Sequence, residues 1–160
     1  MQERRNKTQR GFTLPELLIV AGVIGILAAL VMPSIRGYNA RAKVSEAMLM
    51  IFQCRNQVSE VYASGADIPA PNSWGCEADK PSRYVDSLYT KDDGIIVVRL
   101  GNEIGDLRLS LHEITLAPLN GSGNLMSEPD LGTPIRRWRC GAATDGTDIK
   151  IDYLPSSCRG

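Results

Sequence analysis

The strongest constraint on the fold is an apolar run over residues 12–32, FTLPELLIVAGVIGILAALVM, in which the only charged residue is Glu16. At about 1.5 Å per helical residue, this run spans roughly 31 Å, the thickness of the hydrocarbon core of a bilayer. A helix that is apolar all round has no face to turn to water, so it needs lipid or other helices around it. We therefore expect residues 12–32 to form a helix that inserts in a membrane.

Charge is segregated on the two sides of this run. Residues 1–11 hold four basic side chains and one acidic side chain, whereas the other 149 residues hold 14 basic and 17 acidic ones. A basic flank stays in the cytoplasm, so the C-terminal bulk is expected on the outer side. The balance of 18 basic and 18 acidic residues gives no bulk charge that would indicate a nucleic-acid partner.

Two common targeting segments fit this run poorly. A cleaved secretory signal has an apolar stretch of about 7–15 residues followed by a small-residue cleavage site. A plain membrane anchor explains the length but not Glu16, because a carboxylate in lipid costs about 2.5–3.5 kcal/mol on insertion scales. The carboxylate therefore predicts a functional partner in the membrane.

The stretch Gly11-Phe12-Thr13-Leu14-Pro15-Glu16 resembles the type III leader of type IV pilins and pseudopilins. The resemblance implies that a prepilin peptidase cleaves between Gly11 and Phe12 on the cytoplasmic side and methylates the new amine of Phe12. That ammonium and Glu16 can pair within one chain or between neighbouring chains, and in a medium of low dielectric an unpaired partner is costly. We expect Phe12 and Glu16 to be assembly residues whose pairing sets the axial register of subunits.

Prolines and glycines punctuate the helix. Pro15 departs from the family pattern, and it restricts the preceding residue to extended backbone, so the first turn is expected to fray. Pro33 lies well inside the helical run, where it removes a hydrogen bond. A kinked membrane helix is one interpretation; the resemblance implies instead a helix break in which the segment around Gly22, Gly25 and Pro33 unwinds as subunits leave the bilayer.

Beyond the apolar run, small and aliphatic residues recur every three or four positions and predict an amphipathic continuation of the helix to residue 64, with Gly65 as the stop. The stripe consists of Ala40, Val44, Ala47, Ile51, Cys54, Val58 and Val61.

Residues 66–83 are expected to form a loop, followed by strand signals over 84–89, 94–100, 107–116 and 135–140. One long helix followed by three or four antiparallel strands predicts an α+β fold of the pilin type, with the sheet on the amphipathic half of the helix. The expected divisions are a cleaved leader (1–11), a transmembrane and filament-core helix half (12–39) and a globular domain (40–160).

Four cysteines allow three disulfide pairings. An exported chain favours oxidation, and the spacing favours the two local bridges Cys54–Cys76 and Cys140–Cys158. The tail 138–159 resembles the C-terminal disulfide loop of type IVa pilins. Metal binding by the cysteines is not expected, because the chain lacks CxxC spacing and has a single histidine, His112, which we expect on the surface.

Several weaker candidates are expected to be ordinary surface features. Asp145, Asp148 and Asp152 offer oxygen ligands for Ca²⁺ without EF-hand spacing, so a solvated acidic loop is favoured. Asn120-Gly121-Ser122 matches a glycosylation sequon, but such a short pattern also occurs by chance. Four arginines could contact the phosphates of DNA, but we expect them to be ordinary surface residues. They are Arg136, Arg137, Arg139 and Arg159.

By resemblance, the chain is a structural subunit of a type IV pilus and forms a homopolymer that serves adhesion, twitching motility or DNA uptake. It would start as an inner-membrane precursor and end in an extracellular pilus, with the prepilin peptidase, an assembly platform and a secretin as partners. No nucleotide-binding or hydrolase motif occurs, so neither a cofactor nor enzyme activity is expected. The alternatives are a minor pilin, a type II secretion pseudopilin, a membrane-tethered binding protein or an anchored exported enzyme.

Overall fold

A computed structural model describes residues 11–104 and 109–160, without the side chains of 32–37. The expected leader, apart from Gly11, and Leu107 of one expected strand lie outside the described residues. The chain divides into two compact units, one ending at Arg36 and the other comprising Gly37–Gly160.

A single α-helix, α1, comprises Leu14–Ser64, within two residues of the predicted start. The first turn is closed by the amide of Leu17, which donates to the carbonyl of Thr13 at 3.2 Å. Thr13 and Glu16 have the spacing of a capping box, and the carboxylate of Glu16 reaches back to the Thr13 amide. The fraying expected at Pro15 is therefore not observed, since proline in the first turn removes no helical hydrogen bond.

An antiparallel sheet of five strands follows, in the order β1-β2-β3-β4-β5. The fold class is the predicted α+β arrangement, with one strand more than the three or four expected. The strands are β1 (Ala78–Ser82), β2 (Val85–Thr90), β3 (Ile96–Leu100), β4 (Glu113–Leu119) and β5 (Arg137–Cys140).

The extra strand, β1, lies in the segment that the sequence predicted as loop. Its pattern is hidden by Pro81, by Lys80 with φ of +47°, and by a register shift between Asp79 and Ser82. Proline and irregular pairing are tolerated there because β1 is at the edge of the sheet.

Strands β3 and β4 begin later than predicted because turns occupy their expected first residues. Asp92–Gly94 form a short 3₁₀ turn before β3, with positive φ at Asp93 and Gly94. Leu109 and Leu111 lie in a turn before β4, and Leu111 also has positive φ. Alternation of apolar residues thus extended the predicted strands into turns whose backbone leaves the β region.

The core of the second unit lies between the predicted stripe of α1 and one face of the sheet. Val44, Ile51 and Val58 are fully buried, and Val61 at the end of the stripe is half-buried. On the strands, the buried partners are Val85, Leu88, Ile96, Val98, Leu100, Ile114 and Leu116. Each fully buried aliphatic side chain contributes about 1.5–3 kcal/mol, so this layer fixes the position of the sheet on the helix.

Both predicted disulfides are confirmed. Cys54 pairs with Cys76, with Cα atoms 5.1 Å apart, and Cys140 pairs with Cys158, with Cα atoms 4.6 Å apart. The first bridge ties the segment before β1 to α1, and the second closes the C-terminal loop.

Candidate functional site

The first unit presents a bare apolar helix surface. Every described side chain from residue 11 to 31 is exposed, and Phe12 retains 77% of its accessible surface. By length and composition, Leu14–Val31 is able to cross a membrane. Around Gly22 and Gly25, no atom beyond their immediate helical neighbours lies within 4 Å of the position of an added Cβ. This surface therefore needs lipid or other chains to cover it.

Glu16 is the one charge on that surface, and its local contacts are weak. Its Oε2 accepts from the amide of Thr13 at 3.5 Å and from the Thr13 hydroxyl at 3.4 Å, both at the long end of hydrogen-bond geometry. No ion pair to Glu16 occurs among residues 11–104 and 109–160. The structure thus leaves the carboxylate available to an external cation, four residues from Phe12.

In the second unit, α1 carries a second apolar stripe that the sequence analysis missed. Tyr38, Leu49 and Phe52 are exposed, with Leu49 retaining 62% of its surface. At 100° per residue they lie on the side of the helix opposite the core stripe. Asn56 and Glu60 continue the same side and are polar and exposed. The outer side of the helix in this unit therefore carries three exposed apolar side chains as far as Phe52, with the exposed Ser45 between them, and is polar at Asn56 and Glu60.

The proposed helix break is not visible as an interruption of α1. Gly22, Gly25 and Pro33 all lie within the continuous helix, and the side chain of Pro33 lies outside the described residues. Unwinding on assembly would be a change from this state, so the helix-break role of these residues stays a prediction.

Comparison with known proteins agrees with the two parts of this geometry. Residues 40–159 match the pilin family, described as a bacterial filament protein. The chain belongs to the pilin family. Residues 6–32 match the prokaryotic N-terminal methylation motif, which includes Gly11, Phe12 and Glu16. The resemblance inferred from the leader sequence is thereby confirmed.

The pilin is similar to filament proteins over nearly its whole length. It is 35% identical to a type IV major pilin protein of Neisseria gonorrhoeae, and the match covers 96% of both chains. It is 34% identical to a fimbrial protein of Neisseria meningitidis, again over 96% of both chains. A fimbrial protein of Eikenella corrodens is 34% identical, over 96% of the pilin and 92% of the relative. These relatives are structural proteins.

The three aspartates that were considered for Ca²⁺ lie in different surroundings in the pilin. Asp145 is buried and bonded to Arg139, whereas Asp148 Oδ1 accepts from the Glu113 amide at 2.6 Å and lies 3.2 Å from His112 Nδ1. Asp152 is exposed. Within the described parts of the chain, no group of three or more acidic, histidine or cysteine side chains is placed to hold a metal ion.

The arginine group is likewise divided. Arg139 forms two hydrogen bonds to Asp145, and these bonds raise the pKa of its guanidinium. Arg159 Nε donates to the carbonyl of Leu154 at 3.2 Å. Only Arg136 and Arg137 of the four are exposed without a polar side-chain bond among the described residues. Two exposed arginines are a weak basis for DNA binding.

The sequon asparagine is engaged in its own turn. Asn120 Oδ1 accepts from the amides of Ser122 and Asn124, each at 3.1 Å, and Nδ2 lies 3.4 Å from both carboxylate oxygens of Asp130. His112 is half-buried rather than fully exposed, because its side chain lies beside Asp148.

Glu77 was missed by the sequence analysis, although its carboxylate holds the loop beside the first disulfide. It accepts from the amides of Trp74, Gly75 and Cys76 at 2.9, 2.8 and 3.0 Å and from the Thr90 hydroxyl at 2.5 Å. Burial alone would raise the pKa of Glu77, but these hydrogen bonds outweigh it and hold the pKa below its usual value. A lone glutamate after a cysteine carries no motif, so only the folded loop reveals this role.

Proposed function

We propose that this pilin is the structural subunit of a type IV pilus and polymerises with copies of itself through α1. The observation that carries the proposal is the complete exposure of residues 11–31, in contrast to the stripe from Ala40 to Val58, which is buried in the core of the second unit. Sibling helices are the natural cover for this surface outside a membrane, because burial of apolar area drives their association. The exposed Tyr38, Leu49 and Phe52 supply further apolar contact area on the same helix.

The N-terminal charge pair gives the polymer its register. A prepilin peptidase would cleave between Gly11 and Phe12 and methylate the new amine, which keeps its positive charge. The match of residues 6–32 to the methylation motif and the weak local bonding of Glu16 support this step. In the apolar interior of a fibre, the ammonium of Phe12 would pair with Glu16 of a neighbouring subunit, since leaving either charge alone is costly.

The proposed route starts in the inner membrane and ends outside the cell. The basic leader, 1–11, would stay in the cytoplasm while residues 12–39 span the bilayer and residues 40–160 fold on the outer side. An assembly platform and a secretin would then extract and export the subunits. Unwinding around Gly22, Gly25 and Pro33 would let the helix adapt from the bilayer to the fibre.

The fibre would serve adhesion, twitching motility or DNA uptake, and the subunit itself would not be an enzyme. The name of the gonococcal relative favours an abundant subunit over a minor pilin or a secretion pseudopilin. The amount of this protein in filaments sheared from the cell surface distinguishes these hypotheses. A major pilin is abundant in sheared filaments, a minor one is rare there, and a membrane-tethered binding protein stays with the membranes.

The intact mass of the mature protein is the most direct test of the processing step. We expect the mass of residues 12–160 with both disulfides formed and one methyl group added. A protein that begins at Met1, or that begins after residue 32, would overturn the leader assignment and with it the proposed charge pair.

A further inference from the structure

A row of polar side chains crosses four strands of the sheet. Asp79 on β1 is opposite Ser87 on β2, Ser87 is opposite Arg99 on β3, and Arg99 is opposite Glu113 on β4. Directly opposed residues of antiparallel strands project from the same face. Tyr89, two residues after Ser87, shares that face. The row therefore lies on the side of the sheet away from the core.

An open cavity of about 440 Å³ adjoins this row. It is lined by polar groups from β1, β2 and β3 and from the loop before them: Asn72, Glu77, Asp79, Ser87, Tyr89 and Arg99. The volume falls within the range of roughly 300–1,000 Å³ that is typical of small-molecule sites. The sheet and the first disulfide give the cavity a rigid frame.

Half of the lining is held in place by bonds within the protein. Glu113 Oε1 accepts from Tyr89 Oη and from Arg99 Nη2, each at 2.8 Å. Burial and the neighbouring Glu113 raise the pKa of Tyr89 to about 12, so its phenol stays neutral. The carboxylate of Glu77 is committed to the loop amides. These groups form fixed walls.

The other half of the lining consists of Asn72 and Asp79, which are exposed, and Ser87, which is half-buried. In the part of the chain that the structure describes, the side chains of Asn72, Asp79 and Ser87 form no hydrogen bond. Together they offer a carboxylate acceptor, a hydroxyl and an amide with both a donor and an acceptor. An apolar ligand would leave these groups unpaired. Arg99 is paired with Glu113, so the unpaired charge of the lining is the carboxylate of Asp79, which would repel a phosphate.

We propose that this cavity binds a neutral saccharide unit. Adjacent hydroxyls of a sugar donate to Asp79 and accept from Ser87 and Asn72. The C–H groups of the sugar lie beside the ring of Tyr89, which offers them an apolar surface. The site is on the sheet and uses none of the residues of the proposed assembly surface. It is therefore independent of whether the pilin polymerises.

The test uses full-length mature pilin in micelles of an amine-oxide detergent, which contains neither sugar nor phosphate. Mannose, galactose and N-acetylglucosamine are titrated separately while backbone amide shifts are recorded by NMR, with glycerol and inorganic phosphate as reference probes. We expect at least one of the sugars to cause saturable shifts at Ser87, Tyr89 and Arg99, and we expect glycerol and phosphate to cause none.

Variants then assign the binding to the cavity. Asp79→Asn should weaken sugar affinity by about tenfold, the loss expected for a hydrogen bond to a charged acceptor. Asp67→Asn is the matched control, since Asp67 is an exposed carboxylate outside the cavity, and it should bind as the unmodified protein does. The proposal is overturned if no sugar gives saturable shifts, if phosphate gives the same shifts, or if the two variants bind equally well.

Discussion

Arg139 donates two hydrogen bonds to the carboxylate of Asp145, from Nε to Oδ2 at 2.8 Å and from Nη2 to Oδ1 at 2.6 Å. The Asp145 side chain retains only 2% of its accessible surface. The pair joins β5 to the C-terminal disulfide loop, which also bonds to β4 through Thr147 and Thr115. The loop is thereby fixed against the sheet by charge as well as by the Cys140–Cys158 bridge.

Replacing Arg139 should destabilise the protein because it strands a buried negative charge. We expect Arg139→Met to lower the free energy of unfolding by about 3 kcal/mol, the cost of breaking one side of a buried pair. Arg137→Met is the matched control, since this exposed neighbour on β5 bonds to no carboxylate in the described chain, and its effect should be small. Urea unfolding of the full chain in micelles measures both.

The double variant Arg139→Met/Asp145→Leu separates charge from packing. It removes the stranded carboxylate, so much of the lost stability should return. If the double variant is as unstable as Arg139→Met alone, the loss is due to packing of the arginine stem and the electrostatic explanation is wrong.

A side chain at Gly94 should destabilise the protein, because the turn before β3 packs directly against core side chains of Val58 and Trp74. A Cβ there would lie 2.8 Å from Val58 Cγ1 and 2.9 Å from Trp74 Cη2, at a φ of +73°. Crowding and left-handed backbone together should make Gly94→Ala cost about 2–4 kcal/mol. Tryptophan fluorescence during urea unfolding reports the change.

Gly132→Ala is the control for the backbone contribution. Its φ of +78° is similar, but no atom lies within 4 Å of an added Cβ. It should cost only about 1 kcal/mol, the penalty for left-handed backbone alone. Equal losses for Gly94→Ala and Gly132→Ala would show that the close contact with Val58 and Trp74 does not matter.

The helical part of the fold could be predicted well because its signals are local and periodic. Spacings of three and four from Ala40 to Val58 identified the buried side of α1, and the segregation of charge identified the membrane-length run. The disulfides followed from proximity along the chain. Each of these inferences depended on residues that lie near one another in sequence.

The parts that were missed depend on contacts between distant segments. From the sequence, Arg139 was interpreted as a surface arginine and Asp145 as a solvated aspartate, because their contact forms only when the loop packs on β5. The polar row from Asp79 to Glu113 needs the register of four strands, and β1 itself was hidden by Lys80 and Pro81. Register is set by tertiary packing, which a single sequence does not display.

Acid should loosen the loop beside the first disulfide through Glu77. Its pKa is lower in the folded protein than in the unfolded chain, so its contribution is present above the usual glutamate pKa, about 4.3, and is lost as the pH falls below it. We expect the free energy of unfolding to drop between near-neutral pH and strongly acidic pH. Glu77→Gln should be less stable at neutral pH and should lose less on acidification.

Glu60→Gln provides the comparison for this pH profile. Glu60 is exposed on α1 and its carboxylate forms no hydrogen bond within the described residues, so the variant should keep the profile of the unmodified protein. If Glu77→Gln loses as much stability on acidification as Glu60→Gln does, protonation of Glu77 is not the cause of the loosening.

Removing the carboxylate of Glu16 should reduce assembly without affecting the fold of the second unit. We expect Glu16→Ala to be exported, cleaved and oxidised normally while filaments in the sheared fraction fall sharply, because the ammonium of the neighbouring Phe12 loses its partner. Electron microscopy and quantitation of sheared protein measure assembly, and intact mass confirms processing.

Thr13→Ala distinguishes this role of Glu16 from its role in the helix cap. Within the described residues, Glu16 Oε2 accepts from the Thr13 hydroxyl at 3.4 Å and from the Thr13 amide at 3.5 Å. Loss of the Thr13 hydroxyl should destabilise the first turn of the helix by only about 1 kcal/mol and should leave filaments abundant. If Thr13→Ala and Glu16→Ala reduce filaments equally, the cap rather than a charge pair between subunits governs assembly, and if Glu16→Ala assembles normally the pairing mechanism is wrong.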